Sequence, residues 1–413
     1  MMINLMTRLS FMLIFVALLC SGFTVTSKVN SVRVTHYAIV GAEQMESYLP
    51  RLEHKKVALL INQTSVAYGK LLLDTLMSRG VSVVKIFVPE HGFRGTADAG
   101  AHIKNEKDAK TGLPIISLYG KNKKPTPEQM KDIDVLVYDL QDVGVRFYTY
   151  ISTLEYAMDA CIENDKELLI LDRPNPNCLR VDGPVLDTAL RSFVGMQPVP
   201  VLYGMTVGEY ATMLVGEGWI KNASSLRFTI IPCKDYHPSL GHRGRQSSEI
   251  DYVDYELPIA PSPNLKTMSA INSYPSLCFF EGTIVSVGRG TDRPFEQWGH
   301  PDYKGKLKHS FIPKSTIGAT KPLLEDKVCY GENLIGMVWR VKDKLNINYL
   351  LKAYQLSPQK DKFFNPFFEK LAGTKLLRQQ IIEGKSEVEI RASWQPGLEK
   401  FKAIRKKYLL YED

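Results

Sequence analysis

Read for polarity alone, the N-terminal half of the chain alternates short apolar runs with segments of helical spacing. The runs are Val57–Ile61 (VALLI), Val83–Val88 (VVKIFV), residues 115–119, residues 135–140 (VLVYDL) and residues 168–171. Largely apolar runs of this length, bounded by Pro, Gly or polar clusters, predict buried strands. Between them the spacing predicts a helix over 71–78, closed by Gly80 as C-terminal glycines often do. A second helix starts at Thr126-Pro127-Glu128, with Pro in the first helical position, and a third spans about 149–164. Strands alternating with helices predict an α/β fold built on a doubly wound, mostly parallel sheet. Residues 96–111, polar and small and holding His102, read as one long loop, a kind usually tied to function.

Past Gly183 the pattern changes. Thr206-Val207-Gly208-Glu209 is a capping box that opens a helix, and residues 227–231 predict another strand. Residues 232–275, rich in Pro, Ser and Tyr, read as extended linking structure. Strand character returns over 277–287 and again over 335–341. Two helix-spaced apolar stripes follow: Phe363, Phe364, Phe367, Phe368, Leu371, and then Trp394, Leu398, Phe401, Ile404, Tyr408. Residues 28–185, extending as far as about 270, form the doubly wound part; residues 271–413 form a smaller α+β part. A chain of 413 residues exceeds what one core usually serves, which agrees with two parts.

The N-terminus changes the picture of where the protein works. Arg8, the apolar run 9–20 and the small residues after it make a secretory signal peptide over 1–27, too short for a comfortable membrane span. Leu19 before Cys20 is larger than a lipidation site accepts, which favours plain export, periplasmic or extracellular, over lipoprotein anchoring at Cys20. The remaining cysteines, Cys161, Cys178, Cys233, Cys278 and Cys329, lack CxxC spacing and read as buried hydrophobes. Net charge is +8, spread over clusters such as Lys121 to Lys124, which read as solvated faces and not as a nucleic-acid surface.

Four predicted strands end in polar residues: Asn62; Glu90 with His91 and Arg94; Asp139 to Asp142; and Asp172 to Asn175. Each ending alone is an ordinary turn or cap. In a parallel sheet all four lie on one edge, where such folds bind ligands. No Walker loop, GxGxxG, GxSxG or HExxH is present, so no cofactor and no metal are expected. Carboxylate chemistry remains. Glu90 beside His91 and Arg94, with Asp139 and Asp142, suits a general acid with a raised pKa and a polar partner, the inventory of glycoside hydrolysis. Phe93, Phe147, Tyr148, Tyr150, Phe295 and Trp298 are aromatic candidates for sugar stacking, most of them expected to be packing instead.

The stretches VPEHGFRG, YDLQDVGVRFYTY, LDRPNP, Asp182-Gly183-Pro184 and SVGRGTDRPFEQWG resemble the exo-β-N-acetylmuramidase family of NamZ type, formerly a domain of unknown function. The resemblance implies a Rossmann-like N-terminal subdomain, a smaller C-terminal one and a cleft between them. It implies exolytic release of N-acetylmuramic acid from peptidoglycan-derived saccharides, with Glu90 as the catalytic glutamate. His91, Asp139, Gln141, Asp142, Arg146, Tyr148, Arg173, Asn175, Arg289 and Arg293 fall on motif positions, and Asn62 and Arg94 lie at the same strand ends. Arg289, between Gly288 and Gly290, is the first choice to meet the lactyl carboxylate, the glycines letting backbone approach the ligand. Asp139 or Asp142 is nucleophile, base or orienter of the acetamido group, and retention, inversion and substrate assistance all stay open. A non-catalytic wall-sugar-binding protein and a metal-dependent amidase or esterase are the alternative readings.

Overall fold

The computed structural model describes residues 38–89, 93, 106–238, 257–336 and 344–411. The elements of the first part are α1 (Met45–Leu52), β1 (Val57–Ile61), α2 (Leu72–Ser78), β2 (Val83–Val88), β3 (Glu106–Lys107), β4 (Pro114–Ser117) and α3 (Pro127–Met130). They continue as β5 (Val135–Asp139), α4 (Tyr150–Glu163), β6 (Glu167–Leu171), α5 (Val207–Gly216) and β7 (Phe228–Ile231). The strands form one sheet in the order β7-β6-β5-β1-β2-β4-β3. All pairs are parallel except the short β3 at the edge. The chain steps from β1 outward through β2 to β4, then crosses back to β5 on the other side of β1. The topological switch point therefore lies between β1 and β5, the place where such sheets bind ligands.

Why these runs become central strands is visible in their burial. All five residues of β1 and of β5 are buried. Successive side chains of a strand point to opposite faces. Ala58, Leu60, Leu136, Tyr138, Leu168 and Ile170 enter one core with α4 and α5. Val57, Leu59, Ile61, Val135, Val137, Leu169 and Leu171 enter the other with α1 and α2. Helices thus cover both faces, and the larger core continues into the C-terminal part through Phe279, Phe280, Trp298 and Phe363. The sheet runs past residue 185 as far as Ile231.

The second part holds α6 (Met268–Leu277), a three-stranded antiparallel sheet of β8 (Gln297–His300), β9 (His309–Phe311) and β10 (Cys329–Asn333), and the helices α7 (Asn348–Leu356), α8 (Phe368–Ala372), α9 (Leu376–Ile382) and α10 (Glu387–Arg405). Three sequence expectations change here. Residues 277–287 are not a strand. They finish α6, whose start Thr267 caps, then form a 3-10 turn, Cys278–Gly282, before running extended. Leu277, Cys278, Phe279 and Phe280 are buried in succession, so polarity carries no period to separate helix from strand. The expected strand over 335–341 is displaced to Cys329–Asn333; Ile335 and Gly336 form a turn, and 337–341 lie outside the described residues. The first aromatic stripe is helical only over Phe368–Ala372, because Pro366 breaks it and disfavours helix at Asn365.

The five cysteines from Cys161 to Cys329 are free and buried, as the sequence suggests. Among the described residues no helix is long and apolar enough to cross a membrane. The segment 1–27 and Cys20 lie outside them.

Candidate active site

At the switch point the chain fills its own crevice. Asn62, just past β1, donates from Nδ2 to Tyr150 Oη at 2.6 Å, while its Oδ1 accepts from Thr64 N and Oγ1. Asp139, the last residue of β5, receives Arg173 Nε at 2.5 Å and Nη2 at 2.9 Å, and that Nη2 also reaches the Val66 carbonyl. Both side chains of this ion pair are nearly sealed from solvent. Burial pushes the Asp139 carboxyl up, and Arg173 works against that shift. Gln141 donates to the carbonyls of Asp142 and Pro174, and Asn175 donates to that of Met205. Tyr148 Oη donates to Pro261 O at 2.8 Å.

Asp142 is buried too. Its Oδ1 accepts from Gly144 N at 2.6 Å and Tyr203 Oη at 2.5 Å, while Oδ2 has no partner among the described residues. Burial pushes its pKa up to about 7, against the hydrogen bonds it accepts. Arg146 departs most from the sequence reading. Its guanidinium has no exposed surface and donates to four carbonyls, those of Pro184, Val199, Leu371 and Ala372. It ties the first part of the chain to α8, and those donors are not available to a substrate. Burial without a carboxylate partner lowers its pKa to about 9.

The open space lies beside this network. A cavity of about 840 Å³ is walled by Tyr119, Gly120 and Lys123 after β4, Phe147 and Thr149 before α4, and residues from the second part, among them Tyr274, Glu281 and Arg289. A smaller space of about 50 Å³ adjoins it and shares Phe147, Thr149, Tyr274 and Arg289. Arg289 is thus common to both. Its Nε donates to Glu281 Oε1 at 2.5 Å, its guanidinium carbon lies 5.0 Å from the Phe295 ring centre, and its Nη groups bond to no described residue. Burial opposes the charge of Arg289, but Glu281 outweighs it and the pKa is raised.

Phe295 beneath it is fully buried at φ +60°, an uncommon conformation for a bulky residue. Phe295 N bonds Val287 O, and the ring meets Tyr274 edge-on at 4.9 Å. Gly290 has φ +79°, and a Cβ there would collide with Lys314 O and lie 2.7 Å from Pro322. The packing of this loop on residues 314–322 is by itself enough to require glycine here. Arg293 lies outside the cavity wall, 43% exposed, with Glu296 at 3.7 Å. Trp298 is core, packed on Phe280.

Glu90, His91, Arg94 and His102 lie outside the described residues. Glu90 follows the end of β2 by two residues in sequence. That strand end is beside the cavity, because Leu118 N bonds Val88 O at 2.8 Å and Tyr119 lines the wall. Sequence reasoning misses Glu281, Tyr274 and the segment 318–323. It also reads Lys123 as part of a solvated face, whereas Lys123 lines the cavity; of its cluster Lys121 is exposed and Lys124 pairs with Glu163 at 2.7 Å. Among the described residues no group of three His, Cys, Asp or Glu could hold a metal ion.

A doubly wound sheet with an aromatic-walled cavity at its carboxyl edge, and a guanidinium in that cavity's wall, has the build of an α/β enzyme with a small-molecule site. Comparison with known proteins narrows the class. Residues 57–269 match the model of the N-terminal domain of exo-β-N-acetylmuramidase NamZ, and residues 272–411 match that of its C-terminal domain. The chain belongs to this family of glycoside hydrolases. It is 36% identical over 385 residues, 89% of each chain, to the peptidoglycan β-N-acetylmuramidase NamZ of Bacillus subtilis (strain 168). Crystal structures of two DUF1343 family proteins of Bacteroides fragilis NCTC 9343 are also similar. One is 46% identical with a TM-score of 0.79, covering 92% of this chain and 100% of the other. The second is 30% identical with a TM-score of 0.73, covering 91% and 99%.

Proposed function

We propose that this chain is an exported glycoside hydrolase that releases N-acetylmuramic acid from the non-reducing ends of peptidoglycan fragments. Family membership supports the reaction class. The observation that carries the substrate is Arg289, whose Nη groups stand at the cavity with no described partner. A guanidinium pairs bidentately with a carboxylate, and the lactyl carboxylate is what separates N-acetylmuramic acid from N-acetylglucosamine. Glu281 holds the guanidinium through Nε, so binding needs little reorganisation.

Glu90 is the general acid, protonating the leaving oxygen as the glycosidic bond breaks through an oxocarbenium-like state. Asp139 and Asp142 serve by position. The first fixes Arg173, the second fixes the turn to Gly144, and together with Asn62, Gln141, Tyr148 and Asn175 they set the strand ends around the site. His91 and Arg94, which neighbour Glu90 in sequence, are the further polar candidates. The N-terminal Arg8 and apolar run 9–20 support export.

The test uses residues 28–413 with a chromogenic N-acetylmuramic acid glycoside, the N-acetylglucosamine analogue, and the Glu90→Gln variant. Release from the muramic glycoside alone, lowered about 10²- to 10⁴-fold in Glu90→Gln, is expected for a general acid. Saturable binding of the muramic sugar without release would contradict the reading and favour a binding protein.

A further inference from the structure

Arg289 and Glu281 are two of the residues that line the large cavity. Its remaining wall carries Lys123, Lys321 and Lys370, which come from three separate places: the loop after β4, the turn before Pro322, and α8. None of the three ammonium groups forms an ion pair or hydrogen bond with a described residue, while two charged neighbours do. Lys124 pairs with Glu163, and Glu369, beside Lys370, pairs with Arg378. The only carboxylate among the described wall residues is Glu281, already taken by Arg289.

The lysines also stand on fixed supports. Lys123 Nζ lies 4.6 Å over the Phe193 ring, which stacks on Tyr156. Lys370 rides on α8, whose final carbonyls Arg146 holds at 2.9 and 2.8 Å. Lys321 precedes Pro322, which packs over Gly290. A volume of about 840 Å³ is near the top of the range for small-molecule sites, roughly 300–1,000 Å³, and exceeds what a terminal sugar requires.

Resting on the exo-muramidase reading, we infer that Lys123, Lys321 and Lys370 form a second anion subsite. It takes a carboxylate carried by the substrate beyond the sugar that is released. Two sources share that chemistry: the lactyl group of the next muramic residue in the glycan, and the acidic groups of a stem peptide. The glycan source makes the enzyme prefer chains over disaccharides, since each chain end presents a second lactate two sugars along.

The experiment compares kcat/KM for three substrates: the disaccharide of N-acetylmuramic acid and N-acetylglucosamine, the peptide-free tetrasaccharide, and a tetrasaccharide whose inner lactate carries a stem peptide. The wild type is measured beside the triple variant Lys123→Met, Lys321→Met, Lys370→Met, which keeps the apolar stems and so the packing on Phe193. Circular dichroism checks that the variant is folded, and single Lys→Met variants replace it where it is not. A wild-type preference of about tenfold for a tetrasaccharide over the disaccharide, equivalent to one charge-assisted contact, is expected. It should shrink with added salt and fall at least severalfold in the variants. Preference for the peptide-free tetrasaccharide assigns the lactyl source, and preference for the peptide-bearing one assigns the stem. Equal turnover of all three substrates, or a preference the variants leave intact, overturns the subsite and leaves the exo-muramidase reading standing. Turnover of none overturns both.

Discussion

Arg146 and Arg289 sit in motifs that look equally like site motifs, yet the fold uses their guanidinium groups in opposite ways. Arg146 is sealed and spends its donors on four carbonyls; Arg289 bonds through Nε alone and faces the cavity. Replacing Arg146 by Met should therefore act on stability, costing about 1–3 kcal/mol for each buried carbonyl left without a donor. A urea midpoint close to wild type would show that its carbonyl contacts matter less than their geometry implies. Replacing Arg289 by Lys keeps the charge but loses the fork that matches a carboxylate. The expected result is kcat/KM on the muramic glycoside reduced about tenfold or more, the loss of one charge-assisted bond, with an unfolding midpoint near wild type. An unchanged kcat/KM would remove Arg289 from lactyl recognition. The chain's sequence names both arginines but not their partners, because the carbonyls of Leu371 and Ala372 lie 225 and 226 positions from Arg146.

At the scale of elements, the strands of the doubly wound sheet are legible because central parallel strands are buried on both faces and leave unbroken apolar runs. The capping box at Thr206 and the Thr126-Pro127 start likewise mark observed helix starts. The second part is less legible. Its strand β10 reads CYGEN, half-buried and largely polar, and its apolar run 277–280 is buried all round. The polar strand ends are recognisable as a cluster, but whether each faces solvent, ligand or the neighbouring strand depends on tertiary pairing. The chain's last turn is an instance. Tyr411 Oη donates to Asp172 Oδ2 at 2.7 Å and accepts from Cys233 N at 2.8 Å, while Glu209 receives the amides of Leu410 and Tyr411. These bonds clamp the C-terminus onto the end of β6 and the start of α5. Tyr411→Phe should cost about 1–3 kcal/mol, since it leaves the buried Cys233 N–H without its acceptor, whereas Asp172 Oδ2 keeps the hydroxyl of Thr206, and chemical denaturation would detect it. A neutral result would mean that water replaces the hydroxyl.

At the scale of the whole molecule, several carboxyls among the described residues are buried. Burial pushes Asp142, Glu155 and Glu209 each up to about 7. Their unfolded values are near 4, so the folded state keeps protons that the unfolded chain releases between about pH 4 and pH 7. The stability these groups allow is thus fully present below about pH 4 and is lost as pH rises through about 7. The melting temperature should decline from about pH 5 to about pH 8, and Glu155→Gln, which removes one such group, should decline less steeply. Parallel curves for variant and wild type would show that Glu155 does not titrate across this window.

The claim that joins the sheet, the cavity and the family is exolytic cleavage beside N-acetylmuramic acid. The most direct measurement follows peptide-free glycan chains by mass spectrometry while residues 28–413 act on them. The account predicts free N-acetylmuramic acid from the earliest time point, chains shortened from the non-reducing end, and no such release by Glu90→Gln. Internal fragments appearing before the monosaccharide, or equal release by Glu90→Gln, would contradict it.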